Sequence, residues 1–404
     1  MKTQQLMKTQ LNRRQFVQKM GVATVGALAL PTWANDSRDG KVVGTDVGVD
    51  AKPLGPGQKI EIPSYLEGYE EIYRHDPKAA AVEWHRHAKW GLLIHYALGS
   101  LSGITAQQAI EIKKRSVAEW KKTKNAFDYK AISKQFTAEK FDADFITDLA
   151  LEAEMKYVNF TTRHIGGMFM FRTSQSEFTS LNSPARRDLV EELAVQCEKK
   201  KLGLFIYCPP DMSRTEPQDT FERNQALIKE LLTQYGPVAG MWFDSIGAYY
   251  SQPEAYARLP ELYALIRSLQ PQCLISFKQG TGIEDFVAPE ELMHAEKGAL
   301  AEKAWQLNRM KRGDICTMMQ TAPPSWLYLE GCEYFNAKET LALLADAFAQ
   351  AANLTMNVGP LPDGSLHPEE ITALREAGAL IRKHGFPVPK LMDRKVRQEM
   401  KRIK

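Results

Sequence analysis

Five short apolar runs in this 404-residue chain end on side chains that can bind or react: His95-Tyr96, Arg163-His164, Tyr207, Trp242-Phe243-Asp244 and Lys278. Asp244 is the sharpest of them. It follows Val238-Ala239-Gly240-Met241-Trp242-Phe243 and precedes Ser245 and Gly247, so a strand would carry its carboxylate beyond the apolar layer. The plain alternative for an Asp in that place is to cap the next helix. Four acids follow the fifth run within eight residues: Glu284, Asp285, Glu290 and Glu291. One of them within reach of Asp244 would complete the carboxylate pair that cleaves a glycosidic bond. A lone His at a strand end usually serves packing and backbone hydrogen bonding. Five polar or aromatic ends on one rim ask for more. Aromatic faces stack on the C–H faces of a sugar while imidazoles and carboxylates take its hydroxyls.

The strands that would position these groups are Gly91–Leu98, Lys156–Arg163, Gly203–Pro209, Val238–Asp244, Cys273–Gln279, Asp314–Gln320 and Asn353–Val358, with a weaker one at Leu292–Glu296. Between them lie amphipathic stretches at Phe141–Glu154, Asp188–Lys200, Phe221–Tyr235, Ala255–Leu269, Lys338–Ala351 and Pro368–Lys383. Continuous apolar strands separated by helices indicate a parallel sheet covered on both faces. Seven clear strands and a weak one make eight, the number that closes a (β/α)8 barrel of the TIM type, whose chemistry sits at the C-terminal strand ends. An open doubly wound sheet is the rival, but no glycine-rich phosphate loop follows any strand.

The chain carries 52 basic and 49 acidic residues, with 44% hydrophobic and 25% charged. That composition excludes wholesale disorder and a disulfide-stapled scaffold. Five of the basic residues and no acidic ones fall in residues 1–34, so the rest is slightly acidic and nothing argues for nucleic acid as a partner. Residues 1–34 read as an export signal: Arg13-Arg14-Gln15-Phe16-Val17, then Lys19, the apolar run Gly21 to Leu30, and Thr32-Trp33-Ala34. The adjacent arginines point to the twin-arginine route, hence to a periplasmic or secreted protein with no membrane attachment once the signal is removed. Residues 35–75 read as a flexible lead-in, 76–388 as the barrel and 389–404 as a basic tail. Five cysteines without a C-x-x-C pattern suggest buried free thiols, and the sequon at Asn353 lies in an apolar strand.

Several stretches resemble the α-L-fucosidases, family 29 of the glycoside hydrolases. Trp90–Tyr96 is similar to that family's first strand, Glu119-Trp120 to its Glu-Trp pair, and Lys156–Gly167 to its second strand and histidine motif. Ala185–Val190 and Gly203–Tyr207 are similar to the next helix and strand, and Met241–Asp244 to the nucleophile strand. Asn353–Gly364 with His367-Pro368-Glu369 resembles the last strand and loop. The resemblance implies a (β/α)8 barrel and retaining hydrolysis of α-L-fucose, or a related deoxysugar, from fucosylated oligo- or polysaccharides. It also implies Asp244 as nucleophile and Glu290 as general acid/base; read from position alone, Glu284, Asp285, Glu296 and Asp314 remain open for the acid/base role. His95, Glu119, Trp120, His164, Tyr207 and Trp242 fall where that family holds the sugar. Three positions depart from its pattern: Tyr96 for Trp, Ile165 for His and Lys278 for Arg. Tyr96 and Lys278 are kept as substrate contacts. The family's C-terminal β-sandwich is not expected in this sequence.

The two-carboxylate reaction calls for no metal or organic cofactor. Two other readings stay open. A non-catalytic glycan-binding barrel would use the same rim, and a metal-dependent hydrolase would use His85-Arg86-His87, which precedes the first strand and so faces the opposite rim.

Overall fold

The computed structural model describes residues 61–393 and 396, apart from 117, 120, 121, 124, 125, 209–220, 251 and 291–297. The export signal, the lead-in up to residue 60, Glu296, the weak strand at 292–296 and nearly all of the basic tail lie outside the described residues.

Seven parallel strands form one sheet. They are β1 (Trp90–Ile94), β2 (Tyr157–Thr161), β3 (Gly203–Cys208), β4 (Gly240–Phe243), β5 (Leu274–Phe277), β6 (Gly313–Met318) and β9 (Ala352–Val358). Their order is β5-β4-β3-β2-β1-β9-β6, and each falls within or beside an apolar run named above. A separate hairpin pairs β7 (Gln320–Ala322) with β8 (Glu333–Tyr334). The gap between β5 and β6 is filled by the extended segment 285–290. On one side Asp285 N–H donates to Ile275 O at 2.8 Å and Ala288 N–H to Lys278 O at 3.0 Å. On the other, Val287 and Glu290 bridge in parallel to Gly313 and Cys316. This segment is the eighth strand of a (β/α)8 barrel. The sequence places the eighth strand some residues later, because acids flank Phe286-Val287-Ala288 and Pro289 cannot donate to a ladder. As a result Glu290 stands at the C-terminal end of a barrel strand.

Alternate strand residues feed two cores. Leu92, Ile94, Val158, Phe160, Met241 and Ile275 face the surrounding helices. Leu93, Tyr157, Phe205, Tyr207, Trp242, Phe286 and Cys316 fill the barrel. Helix Pro77–Ala88, capped by the Asp76 carboxylate on Ala79 N–H, closes the N-terminal end. Its Trp84 stacks on Phe205 with 6.2 Å between ring centroids. Residues 61–75 were expected to be flexible but form a short 3-10 turn and a helix, because Tyr65, Leu66 and Tyr73 bury against that plug. Beneath it, Asp314 accepts from Tyr157 Oη at 2.9 Å and lies 3.4 Å from His85 Nε2. Asn353 Nδ2 donates to His85 O at 2.7 Å. His85 and the sequon Asn353 are thus consumed in a buried network at the N-terminal end, while His87 Nδ1 bonds Glu83 O nearby. All five cysteines are free thiols, and all but Cys208 are buried.

Candidate active site

The strand alternation that fills the barrel also points every second side chain upward and inward at the C-terminal rim. β4 delivers Asp244, β3 Tyr207, β5 Lys278, the eighth strand Glu290, β1 His95 and β9 Asn357.

Asp244 is the best-anchored of these. Its Oδ2 accepts from Tyr207 Oη at 2.6 Å and its Oδ1 from Ser245 N–H at 2.7 Å. Lys278 Nζ stands 3.1 Å from Oδ1. Burial alone would raise this carboxyl, but the Lys278 charge and the Tyr207 and Ser245 hydrogen bonds outweigh it and hold it at about 2. Asp244 is therefore ionised throughout the working range. The same carboxylate and burial push the Tyr207 hydroxyl up, so Tyr207 keeps its proton and donates.

Lys278 is the hinge of the site. Its Nζ donates to Glu290 Oε1 at 2.8 Å while facing Asp244, and it lies 4.5 Å from the Trp242 ring centroid. Burial opposes its charge, yet Asp244, Cys316 and Glu290 more than compensate and keep it protonated. Its backbone takes a left-handed φ of 53°, a conformation a non-glycine residue holds only where its surroundings enforce it. The enforcement comes from Glu284. That buried carboxylate accepts from Tyr263 Oη at 2.7 Å, Thr281 N–H at 2.8 Å, Gly282 N–H at 3.0 Å and Asn308 Nδ2 at 3.0 Å, which fixes the turn after Lys278. Asp285 is spent in the same way on Ile275 N–H and Arg267. Of the rival acids, Glu284, Asp285 and Asp314 are thus structural, and Glu290, with a half-exposed side chain, faces the rim.

The carboxylates of Asp244 and Glu290 share one ammonium. Their nearest oxygens cannot be further apart than the sum of 3.1 Å and 2.8 Å. That limit brings the two carboxyls together on one rim, as a carboxylate pair for glycosidic cleavage requires.

A second part of the site is made of rings. His95 packs edge-on to His164 at 4.8 Å and lies 5.1 Å from both Tyr207 and Trp326. His95 Nδ1 is 2.6 Å from Asn357 Oδ1, while Asn357 Nδ2 donates to Trp326 O at 2.9 Å. Because that amide nitrogen is already a donor, its oxygen must accept, so His95 carries its proton on Nδ1 and leaves Nε2 as an acceptor. Burial, reinforced by His164, lowers His95 well below the usual imidazole range and keeps it neutral. Trp242 stacks on Tyr207 at 5.3 Å and closes the floor.

Three expected contacts fare differently. Tyr96 is turned away. It follows the inward-facing His95, stacks on Phe141 in the outer core and donates its hydroxyl to Pro362 O at 3.0 Å. Glu119 is exposed, its N–H bonded to Ser116 Oγ at 3.3 Å, and it does not join the Asp244 cluster among the described residues. Trp120 lies outside the described residues. Trp326 and Asn357 were missed as site residues. The Asn353, Thr355, Asn357 alternation in an apolar strand marks Asn357 as inward-facing. Trp326 lies in a long excursion between β6 and β9, which has no such period.

The rim brings two carboxylates, two imidazoles and stacked aromatic rings together, and the fold is that of a (β/α)8 protein with a two-carboxylate site. The family model described as alpha-L-fucosidase matches residues 61–386, and the chain belongs to that family. It is 23% identical over 323 residues to a putative alpha-L-fucosidase of Caenorhabditis elegans, covering 74% of this chain and 64% of that protein. It is 22% identical over 351 residues to human plasma alpha-L-fucosidase, covering 75% and 68%. Among solved structures, alpha-L-fucosidase isoenzyme 1 from Paenibacillus thiaminolyticus matches with a TM-score of 0.60 at 24% identity, over 78% of each chain. The Lactobacillus casei enzyme AlfC, solved with its alpha-L-fucose product, matches with a TM-score of 0.57 at 22% identity, over 75% of this chain and 98% of that one. These likenesses carry the fold.

Proposed function

We propose that the protein is a retaining α-L-fucosidase that removes terminal α-L-fucose, or a closely related deoxysugar, from glycans. The observation that supports this reading is the single Lys278 ammonium in contact with both Asp244 and Glu290, which brings two carboxylates together on the rim. Relatives solved with Fuca(1,6)GlcNAc and with a 4-nitrophenyl fucoside support the choice of sugar.

In the first step an Asp244 oxygen attacks the anomeric carbon. The bond to the leaving oxygen breaks, and that oxygen takes a proton from Glu290, which enters this step as the carboxylic acid with its Oε1 still accepting from Lys278 Nζ. In the second step Glu290 removes a proton from water, which attacks the anomeric carbon and releases Asp244 as carboxylate. Tyr207 and Ser245 N–H steady the attacking carboxylate, and both strengthen as Asp244 regains charge on product release. His95 Nε2 accepts from a sugar hydroxyl, and Trp326 and Trp242 offer apolar faces to its C–H groups.

The same reading takes residues 1–34 as a twin-arginine signal and the mature protein as periplasmic or secreted. Among the described residues no helix is long and apolar enough to cross a membrane. The test of function is turnover of an aryl α-L-fucoside beside a panel of other aryl glycosides, with NMR of the first-formed anomer. Release of α-L-fucose first supports the reading. Turnover of a different glycoside alone, or β-L-fucose first, overturns it. For export, the Arg13→Lys, Arg14→Lys double variant should stay in the cytoplasm.

A further inference from the structure

A carboxyl that the reaction does not use is buried beneath the His95 side of the rim. Glu370 lies in the first turn of helix Pro368–His384 with no exposed surface. Its Oε1 accepts from Gly359 N–H at 3.3 Å, and its Oε2 has no hydrogen-bond partner among the described residues. Gly359 stands two residues beyond Asn357, where β9 leaves the barrel. The loop that delivers Trp326 crosses directly over it. A Cβ on Gly359 would come within 2.8 Å of Tyr328 N and 3.1 Å of the Leu327 carbonyl carbon, which is why glycine is required there. Asn357 in turn holds both His95 and the Trp326 carbonyl. Contacts therefore run without a break from Glu370 through Gly359 to the ring wall of the pocket.

The titratable groups around Glu370 are Tyr334 and Cys332 on the β8 side, Tyr328 on the crossing loop, and Glu369 and His367 on its own helix. Lys113 acts on Cys332 from the helix Ala106–Arg115. His367 stacks on Tyr334 at 4.3 Å and is lowered by burial, so it supplies no positive charge.

We infer that Glu370, in its neutral form, is a positioning residue for the His95–Asn357–Trp326 wall, acting through the Gly359 backbone; this rests on that wall being part of the sugar pocket. Ionising it would leave an enclosed carboxylate with only the Gly359 and His367 backbone groups to bond, and the enclosure must shift to admit water. Burial, opposed by the Gly359 and His367 backbone groups, pushes this carboxyl up to about 8. Below that pH the wall stays assembled. Above it, sugar binding weakens, while Asp244 keeps its bonds to Ser245 N–H and Lys278, which do not pass through that wall.

The experiment measures KM and kcat separately for the aryl α-L-fucoside between pH 6 and 9.5, for the wild type and Glu370→Gln. Between pH 7 and 9 the protonated fraction of a group titrating near 8 falls about tenfold, and wild-type KM should rise by about that factor. In Glu370→Gln, KM should stay flat, and kcat should follow the same profile in both proteins. A purely structural role would lower the unfolding midpoint without producing this split. Independently of turnover, the Trp326 fluorescence, taken as wild type minus Trp326→Phe, should change with a midpoint near pH 8 and lose that transition in Glu370→Gln. Parallel KM profiles overturn the inference. So does flat wild-type fluorescence from pH 7 to 9, with no recourse to the variant. If the fucoside is not turned over, the substrate reading fails, and the fluorescence arm still decides the inference.

Discussion

Replacing Lys278 with Met should move the acid side of the pH–rate profile by several units. Methionine keeps most of the stem that packs against Trp242 and removes the charge. Lys278 Nζ is 3.1 Å from Asp244 Oδ1. At an effective dielectric of about 20, that pair is worth about 5 kcal/mol, or about 4 pH units. With the ammonium gone, the burial that raises Asp244 is opposed only by Tyr207 and Ser245. The Asp244 carboxyl should then climb from about 2 into the range of about 4–6. The acid limb of kcat/KM, which reports the free enzyme, climbs with it. Rates on an aryl α-L-fucoside measured between pH 3 and 8 show this directly, with Lys278→Arg as the charge-retaining control. The wild type should have no limb in that window, and the Met variant should. An acid limb displaced by less than about half a unit would refute the electrostatic reasoning, because one removed charge at that distance cannot be silent.

Other outcomes follow from the same contacts. Tyr207→Phe keeps the stack on Trp242 but removes the 2.6 Å bond to Asp244, and should lower kcat about 10–100-fold from the roughly 1.5–3 kcal/mol of a charged hydrogen bond. Glu370→Gln should stabilise the protein at alkaline pH. The folded state holds that proton up to about 8 while the unfolded carboxyl loses it at its ordinary value of 4.5, so stability falls as pH rises between the two. Denaturant unfolding at pH 8.5 should show a gain of about 3–5 kcal/mol that vanishes near pH 4. Gly359→Ala should cost about 1–3 kcal/mol in the same assay and raise KM, because its methyl would meet the Tyr328 backbone.

The sequence displays seven strands because each is a continuous apolar run, buried on both faces, and the chemistry at their ends follows from the barrel rule. The eighth strand is hidden by its own composition. Glu284 and Asp285 precede it and Pro289-Glu290 end it, yet Glu284 and Asp285 are neutralised by partners distant in sequence, such as Asn308 and Arg267. Tyr96 shows where a resemblance outruns geometry, since period two in β1 sends His95 inward and Tyr96 outward. Lys278 was legible as a contact but not as a bridge, because its reach to Glu290 depends on the left-handed turn that Glu284 pins. Trp326 reaches His95 through a loop held by Gln320 and Asn357, and no local pattern encodes that course.

Double displacement requires a covalent bond between Asp244 and the sugar. A 2-deoxy-2-fluoro-α-L-fucosyl fluoride slows both steps but leaves the first relatively fast, so the intermediate accumulates and can be located by peptide mass spectrometry. One fluorofucosyl group per chain is expected, on the peptide that contains Asp244, and none in Asp244→Asn. A label on any other carboxylate, or turnover of the fucoside by Asp244→Asn at more than about a hundredth of the wild-type rate, would contradict it.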